Sequence, residues 1–247
     1  MSFQESSETI SLKSIILFGF VFFATVCIWE LLKATLLKQK ELKEFQLTGN
    51  RFMRNYEIFK NTLISKDWVD LPNSSIILGN KESKTEITII TNPFCGHCGK
   101  AHKNLDKILT ANKDSLKIKI LINVDLDTLD DGSKAFLRSL MFIYFEKGND
   151  IFVQALSYWF ETRNLVDWAK EYSGQSFDSD KIDSIYKQQN LWCKTNDFNF
   201  TPAIFINGYL YPKTYNRENL KFFINEIIED DFFEVNQIEE KAIIETI

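Results

Sequence analysis

The hydrophobic pattern of the chain starts with a long apolar run near the N-terminus. Residues 14–29 contain no charged side chain, and apolar residues then continue to Leu37 with only two charges among them. A helix over residues 14–37 is long enough to cross a hydrocarbon core of about 30 Å. We therefore predict an N-terminal tail at residues 1–13 and a single transmembrane anchor at residues 14–37.

A cleaved signal peptide is the alternative to this anchor. No small-x-small cleavage site follows the run, and the region before it carries Glu5 and Glu8 beside Lys13 as its only cation. Signal peptides have a basic first region and a shorter apolar core than this one. The pattern therefore favours an uncleaved anchor.

Behind the anchor, apolar residues recur at spacings of three and four, which predicts an amphipathic helical linker over residues 38–70. Gly49-Asn50 is expected to break or kink this helix. A stripe of this length is more typical of a helix packed on a neighbouring domain than of a coiled-coil dimer, which remains the alternative. The apolar positions are Leu42, Phe45, Phe52, Tyr56, Phe59 and Leu63.

Alternating strands and helices follow over residues 71–228 and predict an α/β domain. Strands at residues 86–91 and 116–124 enclose a helix at residues 96–111, so we expect these two strands to pair in parallel. Four aromatic-rich helical segments then form a helical insertion at about residues 131–195.

The end of the domain is predicted as a hairpin followed by a helix. Asn207-Gly208 separates two short strands and is a strong hairpin signal. A closing helix is expected at residues 219–228. Residues 229–247 carry seven acidic side chains and one lysine, which predicts a solvated acidic tail.

Composition narrows the chemistry that the chain can perform. Lys and Arg total 29 against 34 for Asp and Glu, a formal net charge of −5, which argues against a nucleic-acid partner. The only histidines are His97 and His102, and the four cysteines contain one C-x-x-C pair. These residues do not complete a tetrahedral zinc site locally, so we expect neither a metal nor another cofactor.

The C-x-x-C pair is the strongest chemical signal. Cys95-Gly96-His97-Cys98 stands where a strand ends and a helix is predicted to begin. The positive end of a helix dipole lowers the pKa of a thiol from its free value of about 8.5. Cys95 is therefore the predicted nucleophile and Cys98, one turn further, the resolving thiol. Protonated His97 would add positive charge near the thiolate and make the disulfide more oxidising.

Thr201-Pro202 is the second signal. The proline stands directly before the apolar strand at residues 203–206, and proline cannot donate a hydrogen bond to a sheet. A turn is therefore expected there, with a cis peptide bond.

Three further residues have less specific interpretations. His102, four residues after Cys98 on the predicted helix, is expected to be solvated or partly packed rather than catalytic. Cys193 is either a third exchanging thiol or a buried small hydrophobe, and the second is the commoner behaviour of a free cysteine. Cys27 lies within the predicted anchor and is expected to be inert.

The two signals in this order of elements resemble the thioredoxin superfamily, and the helical insertion is similar to that of DsbA-like thiol oxidoreductases. NPFCGHCGKAH and TPAIFINGYLYP further resemble the thioredoxin-like domain fused to vitamin K epoxide reductase in some bacterial membrane proteins. The resemblance covers about residues 76–228. It implies that Thr201 and Pro202 lie opposite the thiols and contact the substrate chain, and that Phe94 takes the place of the aromatic residue before the first cysteine.

Two features depart from these families. They carry a buried acid six residues before the first active-site cysteine, and Ile89 occupies that position here. This position therefore offers no carboxylate for proton transfer with Cys98. The sequence also contains no four-helix vitamin K epoxide reductase domain.

The sequence thus predicts a thioredoxin-like α/β fold with a helical insertion, preceded by one transmembrane helix. We expect a membrane-anchored thiol-disulfide oxidoreductase that acts on protein thiols and disulfides, with a vitamin K epoxide reductase-like membrane protein as a redox partner. The Gly-His dipeptide matches that of protein disulfide isomerases and predicts a potential on the order of −180 mV rather than about −270 mV. The alternatives are a non-catalytic binding module and a reductase arm.

The predicted location depends on two opposing arguments. Lys33, Lys38, Lys40 and Lys43 follow the span and Lys13 alone precedes it, which by the positive-inside rule favours a cytoplasmic domain. An oxidising dithiol couple would instead stay reduced in the cytosol, and the resemblance implies the periplasm. We therefore predict a single-pass protein of the bacterial inner membrane with a periplasmic domain.

Overall fold

The computed structural model describes residues 12–172 and 179–232, in two units that divide between Met53 and Arg54. The first unit contains one helix, α1 (Leu12–Met53), which is long and apolar enough to cross a membrane. The predicted break at Gly49-Asn50 is wrong, because α1 continues through both residues. A glycine inside a helix costs only about 1 kcal/mol, and the helix formers around it offset that cost.

The second unit is built on a mixed sheet of five strands, β1 (Ile76–Gly79), β2 (Glu86–Thr91), β3 (Lys117–Ile122), β4 (Ala203–Ile206) and β5 (Tyr209–Leu210). Their order across the sheet is β1-β3-β2-β4-β5. As predicted, β2 and β3 pair in parallel, whereas the other neighbours are antiparallel. The central strands are rich in isoleucine and buried on both faces, which is typical of strands covered by helices.

The predicted hairpin joins β4 and β5. Asn207 and Gly208 have φ angles of 47° and 91°, the left-handed conformation that a two-residue hairpin turn requires. Trp68 Nε1 donates to the Asn207 carbonyl at 3.0 Å, and Val69 N donates to the Gly208 carbonyl at 3.0 Å. The segment before β1 therefore covers the edge of the sheet beside β5.

The helices of the second unit are α2 (Tyr56–Ile64), α3 (Cys98–Ala111), α4 (Asp131–Lys147), α5 (Asn149–Thr162), α6 (Leu165–Tyr172), α7 (Ser179–Thr195) and α8 (Ile224–Glu229). The closing helix predicted at residues 219–228 is divided, since a 3-10 helix (Arg217–Phe222) precedes α8. Phe223, between the two, is fully buried and stacks on Phe59 of α2 with ring centres 4.1 Å apart. Packing of this ring therefore interrupts the predicted periodicity.

The linker predicted at residues 38–70 is divided between the two units. Phe59 and Leu63 of α2 are fully buried, as the predicted stripe requires. Leu42, Phe45 and Phe52 belong to α1, in the other unit, so packing of that part of the stripe stays a prediction. The helix breaks after Met53, and a new helix starts behind Asn55, whose side chain accepts from Ile58 N.

The tails lie mostly outside the described residues, namely residues 1–11 of the N-terminal tail and 233–247 of the acidic tail. The first residues of the acidic tail are described, and Asp230 is not a solvated charge. Its carboxylate is 2.7 Å from Lys60 Nζ and accepts a hydrogen bond from the Tyr56 hydroxyl at 2.6 Å. The chain just after α8 is thus fixed to α2.

Candidate functional site

The two thiols of the C-x-x-C pair lie at the junction of β2 and α3. The Cys95 amide donates to the Asn92 carbonyl at 3.0 Å, which forms a tight turn after β2. His97 occupies the N-cap position and α3 begins at Cys98, two residues later than predicted. Cys95 therefore precedes the helix by one turn and is still close to its N-terminal amides.

Cys95 is the more accessible thiol of the pair, and its surroundings favour its ionised form. Its Sγ lies 3.4 Å from the carbonyl oxygen of Thr201. Partial burial raises the pKa of Cys95, but hydrogen bonds from the Thr201 side chain, from the backbone amides of His97 and Cys98 and from the Cys98 side chain outweigh this effect. The net result is a pKa below the ordinary value for cysteine, so the thiolate is favoured.

Cys98 differs from Cys95 in burial and in the direction of its pKa shift. It is fully buried, and desolvation raises its pKa despite hydrogen bonds with Asn92 and Thr91 that act in the opposite direction. The pair therefore combines one accessible thiol that ionises readily with one shielded thiol that does not. A dithiol of this kind can accept an external sulfur on its outer member and expel it with its inner member.

The Thr201-Pro202 loop faces the thiols, and its peptide bond is cis, as predicted. Strand pairing explains why the loop faces the thiols. β4 pairs with β2 in a register that sets Ala203 opposite Ile90. The loop before β4 and the loop after β2 therefore meet at one edge. Arg217 Nη2 donates to the Pro202 carbonyl at 3.1 Å and holds the loop from behind.

The remaining predicted site residues, His97 and Phe94, have different surroundings. His97 is exposed and makes no side-chain capping bond. The Phe94 ring is half-buried and makes edge contacts with the rings of Phe136 at 5.9 Å and Trp159 at 5.8 Å. Phe94 thus joins the aromatic core of the helical insertion and leaves only part of its surface open.

Arg163 is a site residue that the sequence reasoning missed. It ends α5 with a φ of 53°, and its guanidinium donates to the carbonyls of Pro93 and Cys95, the latter at 2.8 Å. Trp159 Nε1 also donates to the Pro93 carbonyl at 2.8 Å. The helical insertion therefore holds the thiol loop directly. A cation at a helix C-terminus was the only local signal, and that signal says nothing about a loop 68 residues away.

The geometry agrees with a comparison against known families. A family model described as thioredoxin matches residues 72–226. The chain belongs to this thioredoxin family. No curated protein matches it significantly in a sequence search.

Solved structures share the thioredoxin-like fold at low identity. Oxidised BdbD from Bacillus subtilis is 16% identical, with a TM-score of 0.50 over 66% of this chain and 100% of that one. A periplasmic thioredoxin-like protein from Salmonella enterica serovar Typhimurium is 16% identical, with a TM-score of 0.51 over 62% and 90%. Proteus mirabilis ScsC in a transitional conformation is 15% identical, with a TM-score of 0.50 over 83% and 97%. The predicted thioredoxin-like fold is thus confirmed, and the closer likeness to a domain fused to vitamin K epoxide reductase stays a prediction.

Ile89 occupies the position of the buried acid that the resemblance led us to expect. It is fully buried and offers no polar group there. Thr91, two residues further along the chain, hydrogen-bonds with Cys98, and its hydroxyl lies 2.9 Å from His102 Nε2. The His102 ring stacks on Phe160 at 5.0 Å, and burial lowers its pKa to about 4. His102 is therefore partly packed, as expected, and neutral at physiological pH.

The other two cysteines, Cys193 and Cys27, are not part of the C-x-x-C pair. Cys193 is buried among Ile90, Leu121, Ala203 and Phe205, and burial raises its pKa to about 11. It matches the interpretation as a small hydrophobe rather than an exchanging thiol. Cys27 lies in α1, in the other unit. Within residues 12–172 and 179–232, no cluster of three or more potential ligands can hold a metal ion.

Proposed function

We propose that the protein is a membrane-anchored thiol-disulfide oxidoreductase that exchanges disulfides with protein thiols through Cys95 and Cys98. One observation carries this proposal: the accessible Cys95 Sγ lies 3.4 Å from the carbonyl of Thr201, beside a cis-proline, while Cys98 is buried behind it. Membership of the thioredoxin family supports a thiol-disulfide activity of this general kind.

The proposed oxidation of a substrate dithiol has two steps. A substrate thiolate attacks Cys95 of the Cys95–Cys98 disulfide, a mixed disulfide forms, and Cys98 leaves as a thiolate that takes up a proton. The second substrate thiolate then attacks the substrate sulfur of the mixed disulfide, and Cys95 leaves as a thiolate. The substrate loses two electrons and two protons, and the protein is left as the dithiol.

The environment of Cys95 supports an oxidase or isomerase direction. Hydrogen bonds that lower the pKa of Cys95 stabilise the reduced protein, because the thiolate exists only in the reduced state. A more stable reduced state makes the disulfide a stronger oxidant. His97, exposed beside the pair, is assigned the same effect when it is protonated.

The residues around the pair receive positioning roles. Thr201 and Pro202 would contact the backbone of the substrate next to its reacting cysteine, and the open part of Phe94 would contact its side chains. Arg163 fixes the carbonyls of Pro93 and Cys95 and so limits the movement of the nucleophile. None of these residues exchanges protons or electrons with the substrate.

The membrane part of the proposal rests on α1, which is long and apolar enough to span a bilayer. We assign the thiol domain to the periplasmic side of a bacterial inner membrane, where an oxidising couple is maintained. Re-oxidation of the dithiol would then pass two electrons to the disulfide of a membrane redox protein, for which a vitamin K epoxide reductase-like protein is the candidate. A topology reporter fused after Ile228 tests the side of the membrane, and a cytoplasmic signal contradicts it.

Trapping tests the activity. In a Cys98→Ala variant, mixed disulfides between Cys95 and cellular proteins should accumulate, because the resolving thiol is missing. They should disappear on reduction and be absent from the Cys95→Ala, Cys98→Ala double variant. Cys193→Ala in the trapping background is the matched control and should leave the mixed disulfides unchanged. A Cys98→Ala protein that traps no partner would indicate a binding module with structural thiols instead.

A further inference from the structure

A groove of about 310 Å³ begins at the cis-proline and is not used by the exchange steps above. One wall is formed by Phe200, Pro202 and the start of β4. The other is formed by Tyr211 and Lys213, which follow β5, and by Arg217, the first residue of the 3-10 helix. Pro202 lines the groove and directly follows Thr201, whose carbonyl oxygen lies 3.4 Å from Cys95 Sγ, so the groove continues from the loop that contacts the reacting sulfur.

The charged side chains of this groove all have one sign. Lys213 and Arg217 are cations, and no described carboxylate lines the groove. Lys213 is exposed, with its Nζ 5.3 Å from the centre of the Phe200 ring. Arg217 uses one of its donors on the Pro202 carbonyl at 3.1 Å, which leaves the others available.

The nearest acid does not neutralise these cations. Glu218 follows Arg217 in the chain, but its carboxylate lies 2.5 Å from Lys100 Nζ on α3. Among the described residues, neither Lys213 nor Arg217 forms an ion pair. The groove therefore presents two positive charges and an aromatic ring to a ligand of opposite charge.

Chain geometry decides which part of a substrate reaches the groove. An extended polypeptide advances about 3.4 Å per residue. A substrate whose cysteine is bonded to Cys95 and whose backbone lies along the Thr201-Pro202 loop thus brings a residue one to three positions from that cysteine into the groove.

We propose that this groove selects protein substrates that carry an aspartate or glutamate within about three residues of the reacting cysteine. The carboxylate pairs with Lys213 and Arg217, and the aliphatic part of the side chain packs on Phe200. The inference rests on the proposed function, because the substrate must first be placed by exchange at Cys95. It adds the chemical class of the substrate segment to that function.

Matched peptides test the selection with the full-length oxidised protein. Three series of peptides with a single cysteine are compared, in which the three residues on either side of the cysteine are Glu, Gln or Lys. The rate at which each peptide exchanges disulfides with the protein is measured. Each rate is divided by the rate of the same peptide with a small aromatic disulfide, which removes the effect of the peptide charge on its own thiol. The Glu peptides should exceed the Gln peptides by about fivefold, as expected for partly exposed ion pairs, and the Lys peptides should be slowest.

Two variants identify the groove as the source of the preference. Lys213→Gln should bring the Glu to Gln ratio close to one, and Lys213→Glu should favour the Lys peptides. Lys221 offers a matched control, because it is also exposed and its Nζ stands 4.9 Å over the Phe222 ring, but it does not line the groove. Lys221→Glu should keep the wild-type preference. Added salt should weaken the preference in the wild type.

The outcomes separate this inference from the proposed function. If the Gln peptides exchange but Glu gives no advantage, the selection is wrong and the oxidoreductase stands. The same conclusion follows if the preference survives Lys213→Glu or is lost equally in Lys221→Glu. If no peptide exchanges with Cys95, both proposals are wrong.

Discussion

Two buried thiols, Cys98 and Cys193, have different surroundings, and the difference shows what makes a cysteine reactive. Cys98 and Cys193 are 0% and 1% exposed, and desolvation raises the pKa of both. Cys193 has only apolar neighbours. Cys98 has polar partners in Asn92 and Thr91 and lies beside Cys95, whose own hydrogen bonds lower its pKa. Burial alone thus makes a thiol inert, and oriented donors make a neighbouring one reactive.

Removing Cys95 from the C-x-x-C pair and Cys193 from the apolar core should give the largest difference in activity. We expect Cys95→Ser to lower the rate of disulfide exchange with a peptide substrate by at least about a thousandfold, because the nucleophile is lost. Cys193→Ala should leave that rate within about twofold and should reduce only stability, through a small cavity. Equal losses of activity in the two variants would remove the distinction between the regions.

Alkylation rates should reproduce the contrast without any mutation. The Cys95 rate should rise with pH and reach half its maximum at a pH below the ordinary pKa of a cysteine, since its hydrogen bonds lower the pKa of this thiol. Cys193, with a pKa near 11, should react at least about a hundredfold more slowly at pH 7. Labelling with iodoacetamide at pH values from about 5 to about 10, followed by mass spectrometry of the labelled peptides, measures both rates. Similar labelling of the two thiols in the folded protein would contradict the argument.

His102 extends the comparison to the surroundings of the reactive pair, because it hydrogen-bonds with Thr91, which also hydrogen-bonds with Cys98. Its pKa is lowered from 6.5 to about 4, so the unfolded chain binds the proton more tightly than the folded protein. The stability that neutral His102 provides is complete above pH 6.5 and is lost as the pH falls toward 4. We expect this residue to account for about 1–2 kcal/mol of the loss between pH 7 and about pH 5.

Urea unfolding of the full-length protein at these two pH values measures the effect. The difference in unfolding free energy should shrink by about that amount in His102→Gln. An unchanged difference in His102→Gln would mean that the imidazole titrates normally.

Arg163 gives the smallest expected effect and tests positioning apart from burial. Arg163→Gln removes the donors to the carbonyls of Pro93 and Cys95 and should slow exchange about fivefold, the value of about one hydrogen bond. Arg163→Lys should recover part of the rate, because it keeps the charge and a donor. Arg138 makes a bidentate pair with Asp183 between α4 and α7, so Arg138→Gln is a control that should lower stability and spare the rate. Stopped-flow exchange kinetics on all three variants decide the matter.

Much of the fold followed from local patterns. The bounds of β2 and β4 agree with the predicted strands, and the Asn207-Gly208 turn agrees with its dipeptide. The pair of thiols and the cis-proline were found because each is a short motif with a local physical cause. Failures occurred where packing overrides periodicity, at Phe223, and where a helix tolerates a weak residue, at Gly49.

The sequence by itself determined the apolar helix, the strands and the identity of the two thiols, since those depend on interactions within a few residues. Tertiary structure alone decided that Cys95 meets Thr201, 106 residues away, and that Arg163 reaches its loop. The same applies to Lys213 and Arg217, which share one groove with Phe200. The physical reason is strand register: the pairing of β2 with β4 brings the two loops to one edge, and no local pattern encodes that pairing.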